Sequence, residues 1–167
     1  TPQLAFDPRL TAPACRAWRE RVRRRLRALL ALPPVPRRPS ARLLAEEPRD
    51  GYRLQSWELY PEPALAVPFL VLVPDGVDAA HPAPAVLCCP GSEEPKEAMC
   101  AEPWPTTWPN KWGERAFIAR HLVRAGMIAV AFDNPGTGGV YDPGAPDWRR
   151  QSGELLWLGR SYEALTT

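Results

Sequence analysis

Two runs of the chain are apolar without interruption, and they end in the same way. Ala85-Val86-Leu87-Cys88-Cys89 stops at Pro90-Gly91, and Met127-Ile128-Ala129-Val130-Ala131-Phe132 stops at Asp133-Asn134-Pro135-Gly136. Unbroken apolarity over so short a run predicts strands covered on both faces, as in a parallel sheet packed between helices. Between the two, Ala116, Phe117, Ala119, His121, Leu122 and Val123 supply the apolar side of a helix at about 113–125, and Gly126 is placed to end it in the left-handed conformation. Strand, helix and strand make a βαβ unit, and open α/β sheets receive ligands at the carboxyl ends of such strands. Residues 90–112, rich in Pro, Glu and Trp, read as a long loop.

The flanks follow from the same patterning. Tyr52–Tyr60 and Ala64–Val73 read as two strands joined by Pro61-Glu62-Pro63, a connection short enough to favour an antiparallel pair. Pro68 inside the second strand predicts a bulge or an unpaired N–H position. Pro74-Asp75-Gly76 is a turn, followed by a surface loop to Pro84. From Pro13 to Leu32 the residues Cys15, Trp18, Val22, Leu26 and Leu29 recur at helical spacing, with Thr11 as a cap and Pro33-Pro34 as a stop. Residues 1–12 form an arm, 33–40 a stiff extended connector, and Asp147–Leu165 has helical spacing again.

Composition bounds this picture more than it changes it. With 167 residues there is room for one domain with a core, and 45% hydrophobic with 24% charged residues is ordinary for a globular chain. The 22 prolines imply stiff connections and few long helices. The net charge of +2 is unevenly spread: ten arginines and one acid, Glu20, fall between Ala14 and Arg42. A basic helix can serve nucleic acid or an anionic membrane. No nucleic-acid module accompanies this one, so a solvated helix face is the reading taken. Cys15, Cys88, Cys89 and Cys100 show neither C-x-x-C spacing nor histidine pairing, which argues against a disulfide framework or a metal site. Cys88 and Cys89 are both read as small core residues. No run reaches the ~18 apolar residues of a membrane span. The chain opens on Thr1 rather than Met, so a soluble protein, cytoplasmic or secreted after signal removal, fits equally.

An antiparallel pair leading into a strand that ends Pro90-Gly91-Ser92, then a helix with His121-Leu-Val-Arg-Ala-Gly126, then a strand ending Asp133-Asn-Pro-Gly136-Thr-Gly138, resembles the N-terminal half of an α/β-hydrolase. The resemblance is closest to the dienelactone hydrolase and acetyl xylan esterase-like branch and covers residues 45–165. Pro90-Gly91-Ser92 stands where that family has His-Gly-x, and Asp133, Gly136 and Gly138 match its Asp-x-x-Gly-x-Gly turn. The fold class implied is α/β, preceded by the basic amphipathic helix. Residues 1–44 would be arm, helix and connector, and 45–167 an incomplete hydrolase domain.

The resemblance implies acyl transfer: a serine on a strand-to-helix turn attacks an ester carbonyl, and two N–H groups receive the oxyanion. One donor would be the backbone N–H of Ser92, with Glu93 as runner-up, and Gly91 would keep the substrate carbonyl uncrowded. The substrate would be a carboxylic ester, of a carbohydrate acetyl or lactone kind. No cofactor, metal or nucleic acid is implied. The departure from the family is that no Gly-x-Ser-x-Gly occurs. Gly159-Arg160-Ser161-Tyr162-Glu163 comes nearest, inside a helical pattern. Serine, acid and histidine of the triad are therefore expected beyond residue 167, and no catalytic side chain within it.

Other readings compete for the same residues. Trp104, Trp108 and Trp112 would rise over the site and stack on sugar rings or flat acyl groups, or else cap the core beneath their loop. A non-catalytic module binding a ligand through these rings is the alternative function. An internal set of Ser92, His81 and Asp75 puts its histidine on the wrong side of the strand. Nucleotide binding needs glycines opening directly into a helix, and Tyr141-Asp142-Pro143-Gly144 intervenes. A sheet ending at the 127–132 strand would leave that strand with a bare edge, open to self-association unless the 147–165 helix or a second subunit covers it.

Overall fold

The computed structural model describes residues 4–31, 36–62, 65–91, 95–103, 117–134 and 148–160. Its elements run α1 (Ala12–Leu30), β1 (Ser40–Arg49), β2 (Tyr52–Glu62), β3 (Leu65–Pro74), β4 (Ala85–Cys88), α2 (Lys96–Cys100), α3 (Ile118–Arg124), β5 (Ile128–Phe132) and α4 (Trp148–Trp157). They fall into two compact units, one of Thr1–Pro34 with Pro146–Thr167 and the other of Val35–Ala145.

The second unit is built on one five-stranded sheet in the order β1-β2-β3-β5-β4. The first three strands form an antiparallel meander, β5 pairs antiparallel with β3, and β4 pairs parallel with β5. The two apolar runs therefore lie side by side and point the same way, with Cys88 opposite Ala131 at their shared end. One expectation is reversed: β5 is flanked on both sides, by β3 and by β4. The crossover carries β5 into the space between β3 and β4, so the edge strands of the described sheet are β1 and β4, and on β4 Leu87 is 61% exposed.

The core fills one face of this sheet. Leu54, Leu70, Leu72, Cys88, Ala129 and Ala131 pack with Met99 and Cys100 of α2 and with Ala119 and Val123 of α3. Ala119, Ala129 and Ala131 are wholly buried, and their small side chains let α3 approach the strands closely. On the other face Ile128, Val130 and Phe132 are half-buried, as are Trp57 and Phe69, whose rings stack at 6.1 Å. Within this unit the described helices thus cover one face, where unbroken apolarity suggested two. Cys89 is likewise exposed while Cys88 is buried, because the strand ends between them and its alternation sends only Cys88 inward.

Several element boundaries have local causes. Pro68 keeps its register opposite Glu58, and the irregularity lies at Leu59–Glu62 instead. The Pro68 carbonyl accepts the Asp133 N–H at 3.3 Å, just past the last registered pair, Phe69 with Phe132. A residue's N–H points the same way as its carbonyl in an antiparallel ladder, so the donor that proline lacks would fall where β5 has already ended. Helix α3 starts at Ile118 because Phe117 holds a non-helical backbone, later than the 113 expected, and residues 113–116 lie outside the described set. It ends at Gly126 (φ +81°), with Gly126 and Met127 N–H groups turned back onto the Val123 and Leu122 carbonyls. Two elements were not anticipated, β1 and the short helix α2 inside the expected 90–112 loop. Beyond the end of α2, Glu102 takes a two-pronged bond from Arg49 at 3.1 and 3.0 Å, which ties that end to the β1–β2 turn.

In the first unit, Pro13 sits in the opening turn of α1, and Thr11 occupies the cap position without a side-chain capping bond. Trp18 Nε1 donates to the Leu4 carbonyl at 3.1 Å, and its ring meets Phe6 at 5.1 Å, so the N-terminal arm is held against the helix. No residue of α1 is buried. Helix α4 stops at Trp157, short of the Leu165 expected. Gly159 (φ +70°) and Arg160 close it by donating to the Leu156 and Leu155 carbonyls.

Candidate functional site

The carboxyl ends of β4 and β5 are joined beyond the last strand pair by side chains. Asn134 Nδ2 donates to the Gly91 carbonyl at 3.2 Å, so the residues that leave β4 and β5 are bonded to each other. Asp133, the residue before it, turns the other way. Its side chain is fully shielded from solvent and 2.6 Å from Lys96 Nζ.

Lys96 is the first residue of α2 and is 6% exposed. A cation at a helix N-terminus works against the aligned peptide dipoles, and a buried ammonium also loses its hydration. Two carboxylates offset both costs, Asp133 at 2.6 Å and Glu97 Oε1 at 2.6 Å. Burial alone would push the Lys96 ammonium down, but the hydrogen bonds and charges of Asp133 and Glu97 outweigh it and hold the group above the usual lysine value. Pro95 at the cap position offers no capping side chain, and Asp133 Oδ1 takes over by accepting the Lys96 backbone N–H at 2.8 Å. Residues from a distant strand thus do what a local cap does elsewhere.

Of the residues singled out in the sequence, Gly91 and Asp133 stand at these exits. Ser92, Glu93, Trp104, Trp108, Trp112, Gly136 and Gly138 lie outside the described residues. Neither histidine joins the site: His81 is exposed on the loop that leads into β4, with Nδ1 3.1 Å from Asp78 rather than paired to Asp75. His121 is exposed on α3. Among the described residues no group of three His, Cys, Asp or Glu gathers as a metal site would require. No described helix is long and apolar enough to cross a membrane.

Sequence reasoning passed over Lys96, Glu97 and Asn134. One signal did point to the first: the chain holds only two lysines among 21 basic residues, so a lysine in an arginine-rich chain is itself unusual. Arginine's planar fork suits two-pronged pairing with one carboxylate, whereas an ammonium presents a compact charge to two carboxylates at once. The ammonium is engaged by both carboxylates, while Glu97 Oε2 is buried with no hydrogen-bond partner among the described residues. What the arrangement supplies is orientation of the backbone around it.

Comparison with known proteins agrees with this geometry. A putative acetyl xylan esterase from Bacteroides fragilis superposes with a TM-score of 0.85 at 33% identity, over 98% of this chain and 43% of that one. The chain therefore spans less than half the length of that structure. No curated protein matches it. The mixed sheet, with its antiparallel lead-in and parallel β4–β5 pair, is an α/β-hydrolase-like fold, and a model of the Abhydrolase family matches residues 1–166. The chain belongs to the Abhydrolase family.

Proposed function

We propose that this chain is the N-terminal portion of a serine carboxylic-ester hydrolase acting on a small-molecule ester, of the carbohydrate acetyl or lactone kind, and that it contributes the oxyanion loop. The observation that carries the reading is the bond between Asn134 and Gly91, which brings the β4 and β5 exits together at the carboxyl edge of the sheet. That edge is where α/β folds place their ligands. In this reading Ser92 N–H, with Glu93 N–H as second choice, receives the negative oxygen of the tetrahedral intermediate. Trp104, Trp108 and Trp112 contact the acyl or sugar portion, while Asp133, Gly136 and Gly138 shape the facing turn. The 167 residues contain no Gly-x-Ser-x-Gly, so the nucleophile, its histidine and its acid come from outside them. The open edge of β4 is the surface through which the chain by itself would pair with another copy.

The test is to express the complete reading frame and measure acetate release from acetylated xylan together with hydrolysis of p-nitrophenyl acetate. The expected result is ester hydrolysis that a serine-directed sulfonyl fluoride abolishes, with the 167-residue chain alone at the buffer rate. Absence of hydrolysis across a panel of acetyl esters and lactones would retire the reading. So would hydrolysis by the 167-residue chain well above background, since that would place a nucleophile inside it.

A further inference from the structure

The helix that opens the chain leaves apolar surface in water. Among the described residues the buried cluster draws on the second unit alone, and no residue of α1 is buried. Cys15, Trp18, Val22, Leu26 and Leu29 fall within about 80° of one another around that helix, counting ~100° per residue. The N-terminal arm meets this stripe at Trp18, through the Phe6 ring and the Leu4 carbonyl. Leu26 and Leu29 stay 50% and 60% exposed, and Phe6 itself 57%.

Charge is equally one-sided. Helix α1 carries seven arginines and a single acid, Glu20, which is engaged by Arg23 at 2.8 Å. Outside α1 the chain holds 18 acids against 14 bases. Arg19 and Arg25 border the apolar stripe, one on each side, and the other five arginines occupy the rest of the circumference. A solvated face accounts for these arginines but not for the bare leucines between them. A nucleic acid would use the charges and leave the stripe in water.

We propose that α1 docks on a membrane surface rich in anionic phospholipid, lying in the headgroup plane with Leu26 and Leu29 entering the acyl boundary. A helix with a basic polar face and a Leu- and Trp-bearing stripe binds there through buried apolar area together with attraction to anionic lipid. The bordering arginines can lay their apolar stems along the stripe while each guanidinium fork meets a phosphate. This is independent of the ester-hydrolase reading, and neither falls with the other.

The test is co-sedimentation of the complete gene product with vesicles of phosphatidylglycerol and phosphatidylcholine in equal parts, and with vesicles of phosphatidylcholine alone. The parent is expected to bind the anionic vesicles about tenfold more strongly or better. Arg19→Gln with Arg25→Gln should weaken that binding roughly 10- to 30-fold, and Leu26→Ser with Leu29→Ser about tenfold. All four side chains are exposed, so the urea midpoint should not move. Raising salt from about 0.1 M to about 0.5 M should weaken the parent's binding in the same direction, a check that needs no variant. Equal binding to both vesicle types, or binding indifferent to salt, would overturn the proposal. So would a leucine variant that binds as the parent does, because charge alone would then suffice, as it does for RNA. Binding by the 167-residue chain that vanishes in the complete gene product would also overturn it, by showing the stripe to be covered from within the protein.

Discussion

Asp133 and Lys96 meet twice, once through the buried ammonium at 2.6 Å and once through the backbone N–H at 2.8 Å. A residue leaving one strand thereby fixes both the charge and the first peptide of a helix thirty-odd residues earlier in the chain. The two partners are not equivalent. Lys96→Met would remove the cation that Asp133 and Glu97 share, and breaking a buried pair this way costs about 3–5 kcal/mol. Asp133→Asn keeps an oxygen for the Lys96 N–H and leaves Glu97 to neutralise the ammonium. Urea denaturation should therefore rank Lys96→Met as clearly the more damaging. The opposite order would mean that the backbone bond, not the ion pair, holds this corner.

How much of this was legible depends on what each segment had to announce itself. The β4 and β5 runs were plain because each is apolar without interruption in the sequence, although burial alternates along both strands, and their exits could be matched to a family. β1 was invisible for the opposite reason: in Ser40–Arg49 every residue but Arg49 is exposed, so no face of it carries a hydrophobic pattern. Its pairing with β2 rests on backbone bonds and on surface partners such as Arg42 with Glu58 at 2.7 Å. Helix α2 has five residues, too few for a period, and one of those it buries is a lysine. Of the site, the glycine and aspartate of the two exits could be read from motifs. The asparagine and lysine that join them could not, because a pairing between positions 91 and 134, or 96 and 133, leaves no mark on local spacing.

Two buried thiols should weaken the fold at alkaline pH. Burial pushes the Cys88 thiol up, and pushes that of Cys100 up much further. Unfolding releases both to ordinary cysteine behaviour, near pH 8.5. Groups whose folded value is raised contribute stability that is whole below the unfolded value and is lost as pH climbs toward the folded one. Stability should therefore be level across neutral pH and decline above about pH 8.5, by up to roughly 1.4 kcal/mol per pH unit for each buried thiol. Cys100→Ala should flatten that decline in urea titrations at pH 7 to 10. In the native chain iodoacetamide should modify the exposed Cys89 and spare Cys88 and Cys100. Labelling of Cys100 at the rate of Cys89 would contradict its burial.

Two glycines offer a test of opposite signs. Gly126 ends α3 at φ +81° with open space where a side chain would begin, so Gly126→Ala meets no clash and suffers only the left-handed backbone penalty. That penalty is about 1–2 kcal/mol. Gly153 lies inside α4 with a negative φ and equally open space, so Gly153→Ala should favour the helix by roughly 0.5–1 kcal/mol. Thermal melts should shift down for the first and up for the second. Shifts of the same sign would show that one of these two helix descriptions is wrong.

Leu87 is 61% exposed on β4, whose free side has no partner strand among the described residues. An apolar side chain beside unpaired backbone donors and acceptors is a template for another strand. The expected occupant for the isolated 167-residue chain is the same edge of a second copy. Leu87→Lys places a charge on that edge without disturbing the core, because Leu87 points away from the cluster that buries Cys88. Sedimentation of the parent chain should show association that grows with concentration, and Leu87→Lys should remove most of it while leaving the urea midpoint nearly unchanged. Leu156, Trp157 and Leu158 at the end of α4 are also exposed, so Trp157→Ser serves as the comparison. Association that survives Leu87→Lys and disappears with Trp157→Ser would assign the contact to the helix end, and the sheet edge would then be closed by some other means.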